Sequence, residues 1–272
     1  YFGELALTPD MLNEQHTNSV APIRNRWIHE VHQSTGVERD IRRVLGEPSA
    51  WSDIYAAKVK LDGYLSTISE LSRHKDYVDL SSGLEEFIAF CKQVIFSCKV
   101  FESTVSGREI GRIANFAQSS EQTKNISQLL RLTRRQNLPL SLYLTNANAV
   151  IKDIKKLLSE AVELFSHQLV AVIGKAGRGK TQLAAEVTSQ NDDRLAGILL
   201  HGKKLRKGGT LDSLVQNMSF ASNEVRSFEL LLSAIDSAGE RNRCRVPIVI
   251  DGLNEAEDPR EWKNLLASIE TV

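Results

Sequence analysis

The sequence contains few cysteines and no excess of charge of either sign. Its three cysteines, Cys91, Cys98 and Cys244, are too few and too scattered for a disulfide framework, and they form no Cys-x-x-Cys pair of the kind that binds zinc. Lys plus Arg and Asp plus Glu number 34 each, so no overall field attracts the chain to nucleic acid or to an anionic membrane. We therefore expect a protein of the reducing cytoplasm, in which nucleic-acid binding would need a local basic patch.

Long apolar runs and a targeting signal are also missing. No uninterrupted apolar run is long enough to cross a bilayer, and Tyr1-Phe2-Gly3-Glu4 lacks the basic-then-apolar pattern of a signal peptide. The missing initiator methionine leaves open a natural start further upstream. The composition, 42% hydrophobic and 25% charged, is typical of a soluble protein with a sizeable core, and 272 residues suggest more than one domain.

Residues 1–140 are predicted to form an all-α region. Two stripes of apolar residues spaced three and four apart predict two long helices, joined through Ser81-Ser82-Gly83 into an antiparallel hairpin. The stripes are Ile54, Ala57, Leu61, Tyr64, Ile68 and Leu71, and then Leu84, Phe87, Cys91, Val94, Cys98 and Phe101. Because Cys91 and Cys98 are seven residues apart on one such face, we interpret them as core residues rather than metal ligands.

Shorter helices are predicted around this hairpin, and they carry little chemistry. They cover residues 27–31, 37–45, 110–116 and 126–132, and a last helix covers 151–165. His29 and His32 lack the four-residue spacing of a zinc protease helix, and the basic Arg131, Arg134 and Arg135 are interpreted as a solvated face. We place the domain boundary near Leu140.

The strongest motif follows a predicted strand at residues 169–173. This apolar, β-branched run predicts a strand buried on both faces. It leads into a glycine-rich turn that fits G-x-x-x-x-G-K-[ST] in full, and residues 182–187 continue as a helix. Strand, loop and helix thus come in the order of a P-loop, which binds the phosphates of a nucleotide.

The chemistry of such a loop assigns roles to its residues. Backbone N–H groups wrap the phosphates, and glycines leave room for that approach. Lys180 is placed to reach the β- and γ-phosphates and assist catalysis, and the Thr181 hydroxyl is placed to bind Mg²⁺. Arg178 fits no required role and is expected to face solvent. The predicted nucleotide-binding residues are Gly174, Lys175, Ala176, Gly177, Arg178, Gly179, Lys180, Thr181 and Gln182.

A second acidic motif lies downstream. After a predicted strand at 195–201 and a helix at 228–238, residues 246–250 predict an apolar strand that ends in Asp251. An aspartate at this position is typical of a Walker B strand, where it holds Mg²⁺ beside the phosphate loop. Glu255, four residues on, is the acid best placed to activate the attacking water.

The sequence Asp251-Gly252-Leu253-Asn254-Glu255 resembles the Asp-Gly-Leu-Asp-Glu signature of NACHT NTPases, within the STAND class. Loop and signature together match at Gly174, Gly177, Gly179, Lys180, Thr181, Asp251, Gly252, Leu253 and Glu255, whereas Asn254 replaces the second acid. The resemblance covers residues 141–272. It implies an α/β P-loop NTPase domain, with a parallel sheet and flanking helices, preceded by the all-α region.

The resemblance also implies a function. Proteins of this class, bacterial antiviral STAND NTPases among them, hydrolyse ATP and work as switches. A viral or other protein ligand, bound outside this segment, triggers ATP- and Mg²⁺-dependent homo-oligomerisation, which activates an effector. ATP and ADP are the nucleotide partners that the resemblance implies, no membrane is expected, and nucleic acid would enter only through a nuclease effector.

The sheet of the predicted NTPase domain is expected to be incomplete. In P-loop proteins of this class the strand after Walker B lies between the Walker B and P-loop strands, and the chain ends before it. We therefore expect an incomplete sheet and a segment of a larger protein.

Two alternative functions stay open. The basic residues of 203–207 are interpreted as a solvated loop, but they leave a nucleic-acid-stimulated ATPase, of helicase or repair type, as one alternative. A nucleotide-binding scaffold without turnover is the other.

Overall fold

The computed structural model of the chain describes residues 5–26, 33–106, 123–135, 139–166, 169–175, 177–216, 218–220 and 223–269. Most of these residues are helical. The α-helices are α1 (Pro9–Val20), α2 (Gly36–Val44), α3 (Ser52–Leu71), α4 (Ser81–Ser106), α5 (Thr123–Arg135), α6 (Leu140–Ser166), α7 (Lys180–Thr188), α8 (Leu211–Val215), α9 (Phe228–Arg241) and α10 (Trp262–Ile269). The strands are β1 (Ile198–His201), β2 (Ser219–Phe220), β3 (Asn223–Glu224) and β4 (Ile248–Asp251).

The chain divides into two compact units. A helical unit comprises residues 48–166, and an α/β unit combines residues 1–47 with 167–272. This division differs from the boundary predicted near Leu140, because α6 begins there and belongs as a whole to the helical unit. It differs also for the first 47 residues, since Leu7 and Leu12 are buried in the core of the α/β unit.

The helical unit contains the predicted hairpin. Both apolar stripes lie in its core, along α3 and α4, so the helix predictions from periodicity are confirmed. Lys58, early in α3, forms an ion pair with Glu102, late in α4, at 3.2 Å, which shows that the two helices run antiparallel. The predicted connector at residues 81–83 is wrong. Those residues form the first turn of α4, and a 3₁₀ helix at Lys75–Leu80 precedes them.

The two cysteines of α4 are core residues, as the spacing predicts. All three cysteines of the chain are free and buried. Burial raises the pKa of Cys91 to about 12 and that of Cys98 to about 11. Both thiols therefore stay protonated at neutral pH and act as small apolar groups rather than nucleophiles or ligands.

The sheet of the α/β unit is parallel and small. In the described part of the chain β1 pairs with β4, in register from Ile198 opposite Ile248 to His201 opposite Asp251, and β2 and β3 form a separate short antiparallel pair. Glycines bracket β1. A Cβ atom at Gly197 would collide with the Pro247 carbonyl oxygen, and one at Gly202 with the Gly252 carbonyl oxygen. Glycine is thus required where the two backbones approach most closely.

Helices cover both faces of this strand pair. On one face Leu199 and Val249 pack with Val20 of α1 and with Ala184 and Ala185 of α7. On the other face, alternate strand residues join a larger apolar core, to which α9 and α10 contribute Leu231, Ile235 and Trp262 together with the strand residues Ile198, Leu200, Ile248 and Ile250. This burial on both faces is typical of parallel strands and confirms the α/β class at a coarse level.

Several predicted features lie outside the described residues. They are the helices at 27–31 and 110–116, the histidines His29 and His32, and Ala176 of the phosphate loop. Across the ranges that the structure describes, no helix combines the length and the apolar character needed to cross a membrane.

Candidate functional site

The predicted phosphate loop ends in the first turn of α7. Gly177 and Gly179 have φ values of 75° and 79°, and Gly179, in the left-handed region, is the residue before the helix. The helix begins at Lys180, and Leu183 N–H donates to the Gly179 carbonyl at 2.8 Å. No described atom lies within 4 Å of a Cβ built on Gly177. Backbone conformation, rather than crowding within the chain, therefore requires glycine there.

Lys180 lies across the loop that precedes it. Its Nζ donates to the carbonyl oxygens of Gly174, at 2.7 Å, and Lys175, at 2.9 Å. These bonds are exposed to solvent and hold the ammonium group beside the helix start, where backbone N–H groups have no partner within the helix. A positive charge thus lies beside the amino end of a helix, two features that favour the binding of an anion.

The direction of α7 places this helix start at the functional edge of the sheet. Gly197, the residue before β1, donates its N–H to the carbonyl of Thr188, the last residue of α7, at 2.8 Å. The carboxyl end of the helix therefore lies beside the amino end of the strand. Consequently α7 runs antiparallel to β1, and its first residues lie toward the carboxyl ends of the strands, where parallel α/β sheets bind ligands.

Asp251 lies on the sheet face that α7 covers. Successive strand residues alternate between faces, so Asp251 shares a face with Val249, which packs on Ala184 and Ala185. Thr181 precedes these alanines by one helical turn, about 5–6 Å, and Asp251 follows Val249 by two strand residues, about 6.6 Å. Because helix and strand are antiparallel, both steps lead the same way. They bring Thr181 and Asp251 to the same edge and the same face.

Glu255 follows Asp251 in a tight turn at this edge. Gly252 has a φ of 74°, and Glu255 N–H donates to its carbonyl at 2.8 Å, closing the 3₁₀ turn Leu253–Glu255. The Glu255 carboxylate folds back over Gly252, with Oε2 3.1 Å from the position that a Cβ would take there. The carboxylate is exposed. The turn thus presents a solvated acid next to the end of β4.

The predicted strand before the phosphate loop is wrong. Residues 169–173 form no strand in the part of the chain that the structure describes, and all five are exposed, with Ile173 at 95%. A strand exists only through a partner that satisfies its backbone groups. The parallel sheet that the structure describes consists of β1 and β4, and residues 169–173 pair with neither strand.

The remaining predicted site residues lie around the loop. Lys175, Arg178 and Gln182 are exposed, so the prediction that Arg178 faces solvent is confirmed. The basic side chains of the turn after β1 are exposed as predicted, at Lys203, Lys204, Arg206 and Lys207. The close approach of Gly202 to Gly252 puts this turn beside the Asp251–Glu255 segment.

Sequence reasoning missed the polar contacts that attach the N-terminal segment to α7 and β1. His16 of α1 makes a hydrogen bond through Nε2 with the Ala185 carbonyl at 3.0 Å, and His201 makes one with the Ser19 carbonyl at 3.0 Å. A buried charge cluster centred on Glu47 also lies against the loop after α7. Isolated histidines and charged helix residues are typical of exposed surfaces, so the sequence offers no signal for either feature.

Comparisons with protein families, curated proteins and solved structures found no match to this chain.

Proposed function

We propose that the chain binds ATP together with Mg²⁺ at the first turn of α7. The observation that supports this most directly is the shared position of two elements. One element is the start of α7, which follows Gly179 and carries Lys180 across the loop. The other is the end of β4, which carries the Asp251 carboxylate. Both lie at the same edge and on the same face of the parallel strands. A nucleoside triphosphate with a divalent cation needs both elements together.

The residues present fit Mg²⁺. The Thr181 hydroxyl and the Asp251 carboxylate are hard oxygen donors, which this ion prefers, and Mg²⁺ in nucleotide sites takes its other ligands from phosphates and water. When bound, the ion neutralises charge on the β- and γ-phosphates. Lys180 would exchange its carbonyl partners for phosphate oxygens, and the N–H groups at the start of α7 would donate to the same phosphates.

We assign hydrolysis of ATP to the same site, with Glu255 as the base. Its carboxylate is exposed in the turn directly after Asp251, so it can reach a water molecule on the open side of the γ-phosphate. The turn conformation depends on Gly252.

The biological role proposed is a STAND-type, NACHT-like switch in antiviral defence. ATP binding would favour homo-oligomerisation when a viral or other protein ligand is sensed by regions outside this segment, and the oligomer would activate an effector. Support comes from the match at the loop and from the Asp-Gly-Leu-x-Glu sequence, whose aspartate and glutamate lie at one edge. The placement in the cytoplasm follows from this role.

The experiment is a calorimetric titration of the full chain with ATP, with and without Mg²⁺, on wild type and Asp251→Ala. We expect Mg²⁺ to tighten ATP binding to wild type but not to Asp251→Ala, because the carboxylate acts through the ion. Asp76→Ala, which alters an exposed aspartate of the helical unit, serves as control. Equal Mg²⁺ dependence in wild type and Asp251→Ala would refute this metal site, and absence of ATP binding to wild type would refute the function.

One observation favours an ATPase stimulated by nucleic acid as the second candidate. The exposed basic turn at 203–207 lies beside the Asp251–Glu255 segment, where bound nucleic acid could act on turnover. Glu257 and Glu261 accept hydrogen bonds from backbone N–H groups of Lys207 and Gly208, so the turn is bordered by acids and is less basic than its sequence. ATP turnover raised by single-stranded DNA or RNA in wild type, but not after Lys203→Glu, would establish this candidate.

A further inference from the structure

A buried carboxylate holds the loop that follows the phosphate-binding helix. Glu47 is 1% exposed and accepts hydrogen bonds from three side chains. Arg194 Nε lies 2.6 Å from Oε1, and Asn191 Nδ2 and Arg42 Nη1 lie 2.9 and 3.2 Å from Oε2. Asn191 and Arg194 both belong to the loop that leads from α7 to β1. We call Glu47, Arg42, Asn191 and Arg194 the Glu47 clamp.

Arg194 also bonds to the backbone at the end of α7 and in the loop that follows it. Its Nη1 donates to the carbonyls of Ser189, at 2.8 Å, and Leu195, at 3.1 Å, so it braces the carboxyl end of α7. Burial lowers the pKa of Arg194, and Glu47 acts in the opposite direction. Its Nη2 has no hydrogen-bond partner in the part of the chain that the structure describes. The guanidinium therefore depends on Glu47 for its charge compensation.

Arg42 links the clamp to α7 itself. Besides Glu47, it lies 2.8 Å from Glu38 on its own helix and 3.5 Å from Glu186 in the last turns of α7. One guanidinium thus spans α2, the residue that ends the N-terminal segment, and the phosphate-binding helix. Removing any of these charges leaves buried partners uncompensated, so the arrangement is sensitive to small displacements of α7.

Glu47 lies at the point in the chain where the first segment of the α/β unit ends and the helical unit begins. Glu47 is the last residue of the α/β unit before the helical unit, which begins at Pro48 and ends at Ser166. From Ser166 the chain reaches Gly174 in eight residues. The helical unit is therefore joined by one end to the residue clamped at the carboxyl end of α7, and by the other to the loop at its amino end.

We infer that Glu47 is a positioning residue through which nucleotide occupancy at the start of α7 is registered at the entry to the helical unit. The inference rests on the proposed nucleotide site and goes beyond it. Bound phosphates fix the amino end of α7, and the clamp transfers any resulting shift of this nine-residue helix to residues 47 and 48. Glu47 acts through α7 and touches neither nucleotide nor metal.

Hydrogen exchange of the full chain, measured with and without Mg²⁺ and ATP, tests this. Without nucleotide, Glu47→Gln and the milder Arg42→Lys should each raise exchange in peptides covering residues 183–195 by about tenfold or more, since the end of α7 loses its brace. The control is Glu102→Gln, the same chemical change at an exposed ion pair of the helical unit. Unchanged exchange at 183–195 in both clamp variants would refute the clamp.

The nucleotide arm separates this inference from the proposed function. In wild type, ATP should protect residues 174–183 and also residues 36–51, whereas in the clamp variants it should protect only 174–183. The transmission role would be overturned if ATP did not protect residues 36–51 in wild type, or if it protected them equally in wild type and in the clamp variants. No protection at 174–183 in wild type would refute the nucleotide site and transmission together, while faster exchange at 183–195 would still show the clamp.

Discussion

Replacing Lys180 with alanine should remove nucleotide binding and leave the fold intact. The two hydrogen bonds of its ammonium group go to exposed carbonyls of the loop, which water can satisfy when the side chain is gone. An exposed change of this kind costs about 0.5 kcal/mol or less, which is a melting shift of about 1–2 °C for a unit of this size. The stability of the variant is therefore close to that of wild type.

The expected loss of affinity is much larger. A hydrogen bond to a charged group contributes about 1.5–3 kcal/mol, and each 1.4 kcal/mol is a factor of ten in Kd. Losing contacts to both the β- and the γ-phosphate should then weaken ATP binding by about 100-fold or more. Lys60→Ala, at an exposed lysine of α3, should change neither quantity.

Titration calorimetry and thermal unfolding of the same samples measure both quantities. An unchanged Kd for Lys180→Ala would refute the assignment of this loop as the phosphate site. A loss of affinity accompanied by a melting shift of ten degrees would refute the reasoning in another way, because it would show that Lys180 supports the fold and affects binding only through it.

Three further outcomes are expected. Glu255→Gln should keep ATP bound but slow turnover by about 10²–10⁴-fold, as loss of a general base does, and should prolong the ATP-held oligomer; wild-type turnover in an ATPase assay would remove Glu255 from catalysis. Leu61→Asp should lower the free energy of unfolding by several kcal/mol because it buries an unpaired carboxylate, whereas Val59→Asp, at a position 69% exposed on the same helix, should change it little; equal denaturant midpoints would show that the α3 stripe is not core. Because the pKa values of Cys91 and Cys98 are raised above their usual 9.0, the unfolded chain loses these protons first, so stability should fall above pH 9 by up to about 1.4 kcal/mol per pH unit per thiol. A double Cys→Ala variant with the same pH profile in denaturant titrations would contradict this.

The sequence predicted best what a short stretch of chain decides by itself. The stripes of α3, α4 and α6 repeat over many turns, and such a pattern can bury its apolar face only as a helix. The turn at Gly177 and Gly179 was equally readable, because few residues other than glycine adopt a positive φ. These local rules also placed α7 directly after the loop.

The features that were predicted wrongly or missed depend on residues that are distant in the sequence. Residues 169–173 have the composition of a strand, but a strand needs a neighbour, and composition does not supply one. The membership of α1 in the α/β unit is decided by contacts such as His16 with Ala185, which no local pattern encodes. Glu47 and Arg194 are residue types that usually face water, so their burial follows only from each other's presence.

The two-part composition of the α/β unit sets an order for folding. The helical unit is continuous in sequence, so it can form once its last helix, α6, has left the ribosome. The α/β unit must wait, because His16 needs a carbonyl 169 residues later and Ser19 needs a ring 182 residues later. During synthesis α1 therefore lacks these partners, and its apolar residues Leu12 and Val20 stay in water, until α7 and β1 have emerged.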